Sequence, residues 1–198
     1  MAFTASDGAT PRKLSYRRTF ALAILIAAAV ALSEYAMGRV LTCTCGRVAL
    51  WHGVVLSAEN SQQFTDWYTF THIVHGVLFY GVLALALPRQ PLLVRLLLAL
   101  CAEGAWEVVE NTPAVIERYR ETTISLDYYG DSILNSMGDI GAMALGFGLA
   151  AKLPVWSSVA CVIALELMLA FIIRDNLTLN IVMLLHPVNA IRKWQTGL

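Results

Sequence analysis

Charged residues are scarce in this chain. They make up 14% of its 198 residues, whereas a soluble domain of this length carries about 25%. Lys and Arg together number 14, as do Asp and Glu, so the net charge is zero and no basic surface predicts nucleic-acid binding. Hydrophobic residues account for 58% of the chain, and the mean hydropathy is +0.62. This composition excludes an ordinary soluble domain and indicates an integral membrane protein.

Familiar catalytic fingerprints are also missing. The sequence contains no G-x-S-x-G, no Walker loop, no H-E-x-x-H and no dinucleotide-binding glycine pattern, so it indicates no established catalytic class. It shows no internal repeat either, which disfavours a transporter built from repeated halves. We therefore treat residues 1–198 as a single integral membrane domain.

Five segments are apolar over about 20 residues, the length that crosses a bilayer. They are residues 19–37, 67–87, 92–109, 132–151 and 154–173. The predicted fold class is all-α, a polytopic membrane helix bundle of about five transmembrane helices. A further apolar segment, 177–185, is too short to span. It is interfacial, re-entrant, or the first half of a sixth crossing that ends at Arg192 and Lys193.

Basic residues set the predicted orientation. A cluster before the first span places the N-terminal tail, residues 1–18, in the cytoplasm: Arg12, Lys13, Arg17 and Arg18. The first span also resembles a secretory signal peptide, but the polar Glu34 and Tyr35 at its end favour a helix that is retained. The loops 38–66 and 110–131 are then extracytoplasmic.

Polar residues gather at one end of the predicted spans. Alternating topology places them on the extracytoplasmic face: Glu34, Asp66, His72, His75, Glu103, Glu107, Glu110, Asn111, Asp127, Asp131, Asn135, Arg174, Asp175 and Asn176. Ionisable groups inside a bilayer are costly unless they are paired or hydrated. Their accumulation therefore predicts a functional site on this face.

The second and third spans carry the sharpest patterns. His72 and His75 are three residues apart and lie on neighbouring helix faces. Such a pair binds a metal, relays protons, or simply packs against another helix with its hydrogen bonds satisfied. Glu103, Glu107 and Glu110 follow i, i+4, i+7 spacing and form one acidic stripe. Glu103 and Glu107 lie deepest, so each requires a partner, a proton or a cation.

A second polar stripe opens the fourth span. Asp127, Asp131 and Asn135 are four residues apart, and Asp139 extends the stripe by another turn. Asp127 or Asp131 could instead be a helix cap. Arg174, after the fifth span, neutralises the acidic cluster, holds a phosphate, or anchors the helix at the interface. Small residues in the fourth span would permit close helix packing: Gly138, Gly141, Gly146 and Gly148.

Two of the four cysteines lie close together in the first loop. Cys43 and Cys45 form a C-T-C-G sequence. A bridge between residues two apart is strained, and two ligands alone are a weak metal signal. A structural role, a disulfide and a metal pair all remain open.

These patterns predict one site of imidazole, carboxylate and amide groups. We expect catalytic roles for Glu107, His75, Asp131 and Glu103. Substrate-binding roles are expected for Arg174, Asn135, Asp127, Asp66 and Asn111. A divalent metal is possible, with the candidate ligands His72, His75 and Asp131.

The chemistry that such a site suggests is hydrolysis or group transfer on an envelope lipid or a lipid-linked substrate. Without a metal, Glu107 would act as general base with His75 as its partner. The alternative is a non-catalytic membrane protein that binds a cationic ligand, a lipid head group or a partner protein. Membrane lipids are the expected partners, and the oligomeric state stays open.

Four strings together resemble one family. They are E-N-S-Q-Q-F-T-D-W-Y-T-F-T-H-I-V-H-G, W-E-V-V-E-N-T-P, L-D-Y-Y-G-D-S-I-L-N-S and I-R-D-N-L-T-L-N-I. They resemble an uncharacterised family of small alphaproteobacterial multi-pass inner-membrane proteins, a domain of unknown function. The resemblance covers residues 15–196. It implies a bacterial inner membrane, so the extracytoplasmic face would be periplasmic, and it implies no activity.

A looser similarity is to VanZ-like membrane proteins, which are linked to glycopeptide tolerance. The similar positions are Asp66, His72, Gly76, Glu103, Glu107, Asp131 and Asn135. This similarity implies a role in the cell envelope.

Overall fold

The computed structural model describes residues 14–197, and over that range it contains eight α-helices and no strand. The helices are α1 (Tyr16–Ala36), α2 (Thr69–Ala86), α3 (Leu92–Glu110), α4 (Pro113–Thr122), α5 (Ile133–Ala150), α6 (Val155–Ile173), α7 (Leu177–Leu185) and α8 (Asn189–Thr196). The predicted all-α class is confirmed. Two of the basic residues used for orientation, Arg12 and Lys13, lie outside the described residues.

The five long helices α1, α2, α3, α5 and α6 correspond to the five predicted spans. Local signals define their ends: Ser15 caps α1 by accepting from the amide of Arg18 at 3.3 Å, and Pro91 and Pro154 immediately precede α3 and α6. Four of these helices, α1, α2, α5 and α6, are long and apolar enough to cross a membrane. Helix α3 has 19 residues but carries four ionisable side chains, Arg95, Glu103, Glu107 and Glu110.

Helix α5 lies at the centre of the bundle, and its backbone touches that of α2. A Cβ added at Gly146 would lie 2.1 Å from the carbonyl oxygen of Ile73, and one at Gly76 would lie 2.0 Å from that of Met143. These glycines therefore set how closely the two helices approach. The expectation that all four glycines of α5 serve packing is wrong for Gly141 and Gly148, which have nothing within 4 Å of an added Cβ.

The apolar core fills the half of the bundle away from the polar end. Its buried residues come from α1, α3 and α5 and include Val30, Leu100, Met143 and Phe147. On α6, by contrast, large apolar side chains such as Phe171 face outward. Apolar side chains on the outside of a long helix are typical of a surface that contacts lipid.

Two connecting segments pack together over the polar end of the bundle. The segment between α3 and α5, predicted as a loop, contains α4, which begins with Pro113 at its first position. The loop before α2 is held by Gln62, whose side chain is fully buried and donates to the carbonyl of Gly130 at 2.7 Å. This loop is therefore part of the scaffold of the site.

The C-terminal segment folds back on the end of α6. Helix α7 has nine residues and is about 13 Å long, less than half the thickness of a hydrocarbon core. Glu166 on α6 accepts from the amides of Leu177 and Thr178 at 3.1 and 3.0 Å and so caps α7. The end of α8 then returns to the start of the segment, where Gln195 donates to Asp175 at 3.1 Å. A sixth crossing that ends at Arg192 and Lys193 does not fit this path.

Candidate functional site

Two histidines of α2 share one carboxylate of α3. Nδ1 of His72 lies 2.5 Å from Oε1 of Glu103, and Nδ1 of His75 lies 3.0 Å from its Oε2. Glu103 is fully buried. Because the i, i+3 spacing brings both imidazoles to one carboxylate, Glu103 fixes the orientation of both rings and leaves each Nε2 for other partners.

Two more buried carboxylates approach His72 from other sides. Oε1 of Glu107 lies 3.4 Å from its Nδ1, and Oδ2 of Asp139 lies 3.8 Å from its Nε2. Both acids are buried. Within residues 14–197, both carboxylate oxygens of Glu107 and Oδ1 of Asp139 make no hydrogen bond. Buried oxygens without partners are costly, so these two acids are poised to accept a ligand or to hold a proton.

These groups could hold a metal ion. In two overlapping sets, His72–His75–Glu103 and His72–Glu107–Asp139, each residue offers a ligand atom within 4.8 Å of those of the other two. Imidazole and carboxylate ligands suit zinc, manganese or iron. In the described chain, no Lys or Arg lies within 4.0 Å of these acids. The one Arg–carboxylate ion pair in that part of the chain joins Arg47 to Glu59. A cation would offset this excess of buried carboxylates.

Asp131 lies beside this cluster but outside both ligand sets. Its Oδ2 accepts from Asn111 at 3.0 Å and its Oδ1 accepts from the Tyr128 hydroxyl at 3.1 Å. Burial raises the pKa of Asp131 to about 6. The predicted ligand trio of His72, His75 and Asp131 is therefore not one of the sets found in the structure. One set contains Glu103, and the other contains Glu107 and Asp139. The expected helical stripe also fails here, because α5 begins only after Ser132, whose side chain caps it.

Asp66 and Asn135 hold the loop before α2 in place. Asp66 accepts from the amides of Ser61 at 2.9 Å and Tyr68 at 2.8 Å, and burial raises its pKa. Asn135 donates to the carbonyl of Gln63 at 2.9 Å. Both were predicted to bind substrate, and in the structure their bonds go to the backbone of this loop.

Arg174 and Asp127 lie apart from the cluster. Arg174 is exposed, has a left-handed backbone (φ 54°) at the end of α6, and donates to the carbonyl of Trp194 at 3.2 Å. It therefore anchors the C-terminal segment, and the expectation that it neutralises the acidic cluster is not met. Asp127 is exposed in the segment before α5 and borders a small cavity of about 150 Å³ next to Tyr128.

A cavity of about 330 Å³ opens over the histidines. Its polar lining residues include His72, His75 and Asp139 together with three tyrosines, Tyr68, Tyr119 and Tyr128. Its apolar lining residues are Leu78, Phe79, Trp106, Ile181 and Leu184, among others. Leu78 and Ile181 are also exposed on the outer surface. The cavity thus connects buried polar groups with the apolar exterior of the bundle, and we call it the histidine cavity.

Sequence reasoning missed several residues of the histidine cavity. Asp139 was recognised as the next member of a polar stripe but was not assigned a role, although its spacing of four from Asn135 was a usable signal. Glu34 was counted among the polar residues of this face but given no role; it is not among the described residues that line the cavity, yet it is fully buried on α1 and neither of its carboxylate oxygens has a hydrogen-bond partner in the described chain. The tyrosines and the apolar residues of α7 carried no local signal, because their positions depend on how the connecting segments fold.

Cys43 and Cys45 are joined by a disulfide, with their Cα atoms 5.2 Å apart. The structure therefore supports the disulfide, and the metal alternative stays open because Cys43, Cys45 and Glu59 offer ligand atoms within 4.8 Å of one another. Cys45 is exposed and lies 3.6 Å from Oε2 of Glu59, away from the histidine cavity.

Comparison with known proteins gives one consistent family. A model described as "Protein of unknown function (DUF2585)" matches residues 34–197. A UPF0314 protein of Paracoccus denitrificans (strain Pd 1222) is 54% identical over 189 residues, covering 96% of each chain. A UPF0314 protein of Sinorhizobium fredii is 59% identical over 167 residues, covering 84% of this chain and 85% of the relative.

A UPF0314 protein of Sphingopyxis alaskensis is 52% identical over 161 residues, covering 81% of this chain and 86% of the relative. No solved structure matches the chain, and none of these matches connects it to VanZ-like proteins. The predicted resemblance to an uncharacterised alphaproteobacterial family is therefore confirmed, and the chain belongs to the DUF2585 family of UPF0314 proteins.

Proposed function

We propose that this protein is a membrane-embedded enzyme that hydrolyses or transfers a phosphate- or ester-linked group of an envelope lipid or lipid-linked substrate, assisted by a divalent metal. One observation carries the proposal. The buried His72 and Asp139, the latter with an Oδ1 that lacks a partner, line a cavity whose described lining also includes apolar side chains exposed on the outer surface. A lipid can place its chain against these apolar side chains and its reacting group beside the polar ones.

The metal would be held by His72, Glu107 and Asp139, the set with unpartnered buried oxygens. A divalent cation supplies Lewis-acid polarisation of a phosphoryl or carbonyl oxygen when it is bound. His75 lines the cavity, and its Nδ1 is bonded to Glu103. A ring held in this way can transfer a proton to or from substrate. Glu103 is then a positioning residue, because it acts through the two imidazoles.

We further propose that α3 crosses the membrane together with α1, α2, α5 and α6. Its ionisable residues Glu103 and Glu107 face the interior of the bundle and are fully buried, so they do not meet lipid. Five crossings with a cytoplasmic N-terminus place the histidine cavity on the periplasmic side of a bacterial inner membrane.

A second candidate function is the binding of a cationic ligand without catalysis. The observation that favours it is that the described lining of the histidine cavity includes Glu110, Asp131 and Asp139 but no Lys or Arg. In this case a cationic head group, rather than a metal, would offset the acids.

Lipid analysis of a deletion strain separates the two functions. The strain would be complemented with wild type, Glu107→Gln, Asp139→Asn, or Glu121→Gln, the last an exposed control on α4. We expect one lipid or lipid-linked species to accumulate in the deletion strain and to be cleared by wild type and the control, but not by the cavity variants. Metal analysis of the purified proteins should show bound metal in wild type and in Glu121→Gln, which keep both acids. Glu107→Gln and Asp139→Asn should lack it.

Unchanged lipid profiles together with metal-free wild-type protein would overturn the enzyme proposal. Tight binding of a quaternary ammonium compound by that same metal-free protein would then favour the second function.

A further inference from the structure

A second cavity lies between the end of α1 and α4. It has a volume of about 550 Å³, and its lining includes Arg39, Arg120, Pro113 and Tyr129. Asp131 lines both this cavity and the histidine cavity. The two cavities therefore share Asp131 as a lining residue, and we call the second one the arginine cavity.

Two guanidinium groups of the arginine cavity donate hydrogen bonds to the carbonyls of two consecutive residues. Nη1 of Arg39 donates to the carbonyl of Tyr129, and Nε of Arg120 donates to the carbonyl of Tyr128. Neither arginine lies within 4.0 Å of a carboxylate in the part of the chain that the structure describes. Both therefore keep their charge and most of their donors for another partner. Nε of Arg39 is buried and makes no hydrogen bond to any described residue.

The acids that border the arginine cavity do not neutralise these arginines. Both oxygens of Asp131 are taken by Asn111 and Tyr128. Glu117 also lines the cavity but is exposed. The first turn of α4 adds a further positive contribution, because Pro113 lines the cavity and Thr112 makes no side-chain cap. The positive end of the helix is thus open to an anion.

The backbone is shaped to admit Arg39. Gly130 has a φ of +97°, and a Cβ added there would lie 2.2 Å from Nη1 of Arg39. Glycine at this position therefore leaves the space that the guanidinium occupies. A planar, permanently charged fork is the group that best matches the oxygens of a phosphate.

We propose that the arginine cavity binds a phosphate group through Arg39 and Arg120. The inference rests on the proposed function in one respect: it identifies the phosphate as part of the lipid substrate whose reacting group lies past Asp131 in the histidine cavity. The same chemistry would bind free inorganic phosphate, so the two sources are compared directly.

The test is a binding measurement by calorimetry on the full-length protein, purified in a neutral detergent and treated with EDTA. The three probes are dihexanoyl phosphatidic acid, dihexanoylglycerol, which lacks the phosphate, and inorganic phosphate. The variants are Arg39→Gln, Arg120→Gln and the charge-retaining Arg39→Lys. Arg47→Gln is the matched control, because Arg47 is already paired with Glu59 in the first loop.

We expect Arg39→Gln and Arg120→Gln each to weaken phosphatidic acid binding at least tenfold, Arg39→Lys to weaken it less, and Arg47→Gln to leave it unchanged. Dihexanoylglycerol should bind far more weakly than phosphatidic acid. If inorganic phosphate binds with the same dependence on both arginines, the site accepts free phosphate. If only the lipid binds, the phosphate belongs to a lipid.

Equal binding by wild type and both glutamine variants, or binding of dihexanoylglycerol as tight as that of phosphatidic acid, overturns the inference. Thermal unfolding of each variant identifies a loss of binding caused by misfolding, in which case the comparison of wild type with Arg39→Lys and Arg120→Gln replaces Arg39→Gln. Because the protein is metal-free in this assay, the outcome is independent of the lipid analysis. Arginine-dependent binding, found together with an unchanged lipid profile and a wild-type protein that is purified without metal, removes the proposed enzyme but keeps the phosphate site. Binding that does not depend on the arginines, found together with a changed lipid profile, removes the phosphate site alone.

Discussion

Glu103 shows how one residue organises the site. Its two oxygens accept from His72 and His75 at 2.5 and 3.0 Å, and it has no exposure to solvent. Spacing along the chain predicted that the histidines and Glu103 were important. That one carboxylate serves both rings depends on the rotation of α3 against α2, which spacing does not encode.

Replacing Glu103 by Gln should weaken metal binding. The amide keeps the size of the side chain but presents one acceptor instead of two, so one imidazole loses its fixed tautomer. Loss of such an outer partner lowers metal affinity about 10–100-fold, which competition with a chromophoric chelator would measure. Glu121→Gln, on the exposed face of α4, should keep wild-type affinity. Equal affinities for the two variants would show that Glu103 does not position the ligands.

Asp175 should make the stability of the protein depend on pH. It is fully buried, accepts from the Tyr68 hydroxyl at 3.0 Å, and burial raises its pKa from 3.8 to about 6. Below pH 3.8 the carboxyl is protonated in both the folded and the unfolded state, so the folded state does not bear the cost of a buried charge. Above about pH 6 it is ionised in both, and the folded state bears the cost of the buried charge, about 3 kcal/mol at most.

The free energy of unfolding should therefore fall as the pH rises from about 4 to about 6, and this part of the fall should disappear in Asp175→Asn. Thermal unfolding in detergent across this range would measure it. Asp127→Asn, at an exposed position, should retain the wild-type dependence. A wild-type profile in Asp175→Asn would contradict the assignment.

At the scale of elements, the α2–α5 contact is the most constrained part of the fold. The closest approach is between backbones, at Gly76 and Gly146. This contact fixes the rotation of α5, and with it the depth at which Asp139 faces His72. The sequence showed four glycines on α5 that could serve packing. In the structure Gly146 lies against α2, and Gly138 lies against the carbonyl of Phe64 in the loop before α2.

Gly146→Ala should destabilise the bundle, because the added methyl would meet the carbonyl oxygen of Ile73 at 2.1 Å. Forcing extra atoms into such a contact costs about 1–3 kcal/mol. Gly148→Ala, with open space around the added methyl, should be neutral or slightly stabilising, since Ala is the better helix former. Unfolding in a denaturing detergent titration would compare the two. Equal stability of the two variants would mean that the helices do not meet where the structure places them.

At the scale of the whole molecule, the N-terminal and C-terminal ends should lie on opposite sides of the membrane. The five crossings proposed above would give this arrangement, and α8 returns to the end of α6 through Trp194 and Gln195. Alkaline phosphatase fused after Leu198 should therefore be active, and the same enzyme fused after Gln90, in the connection between α2 and α3, should be inactive. Fusions to green fluorescent protein should show the reverse pattern. An inactive C-terminal phosphatase fusion would restore the sixth crossing.

The sequence by itself determined the five long helices, each end to within three residues, and the gathering of polar residues at one end. Each of these depends on local properties: apolar length, capping residues such as Ser15 and Pro91, and the position of charges along each span. Only the tertiary structure decided which acids meet the histidines. Asp139 replaces Asp131 because α5 begins at Ile133 and its rotation is set by glycine contacts with α2. The relative rotation and depth of packed helices arise from contacts between residues distant in the chain, and no local pattern specifies them.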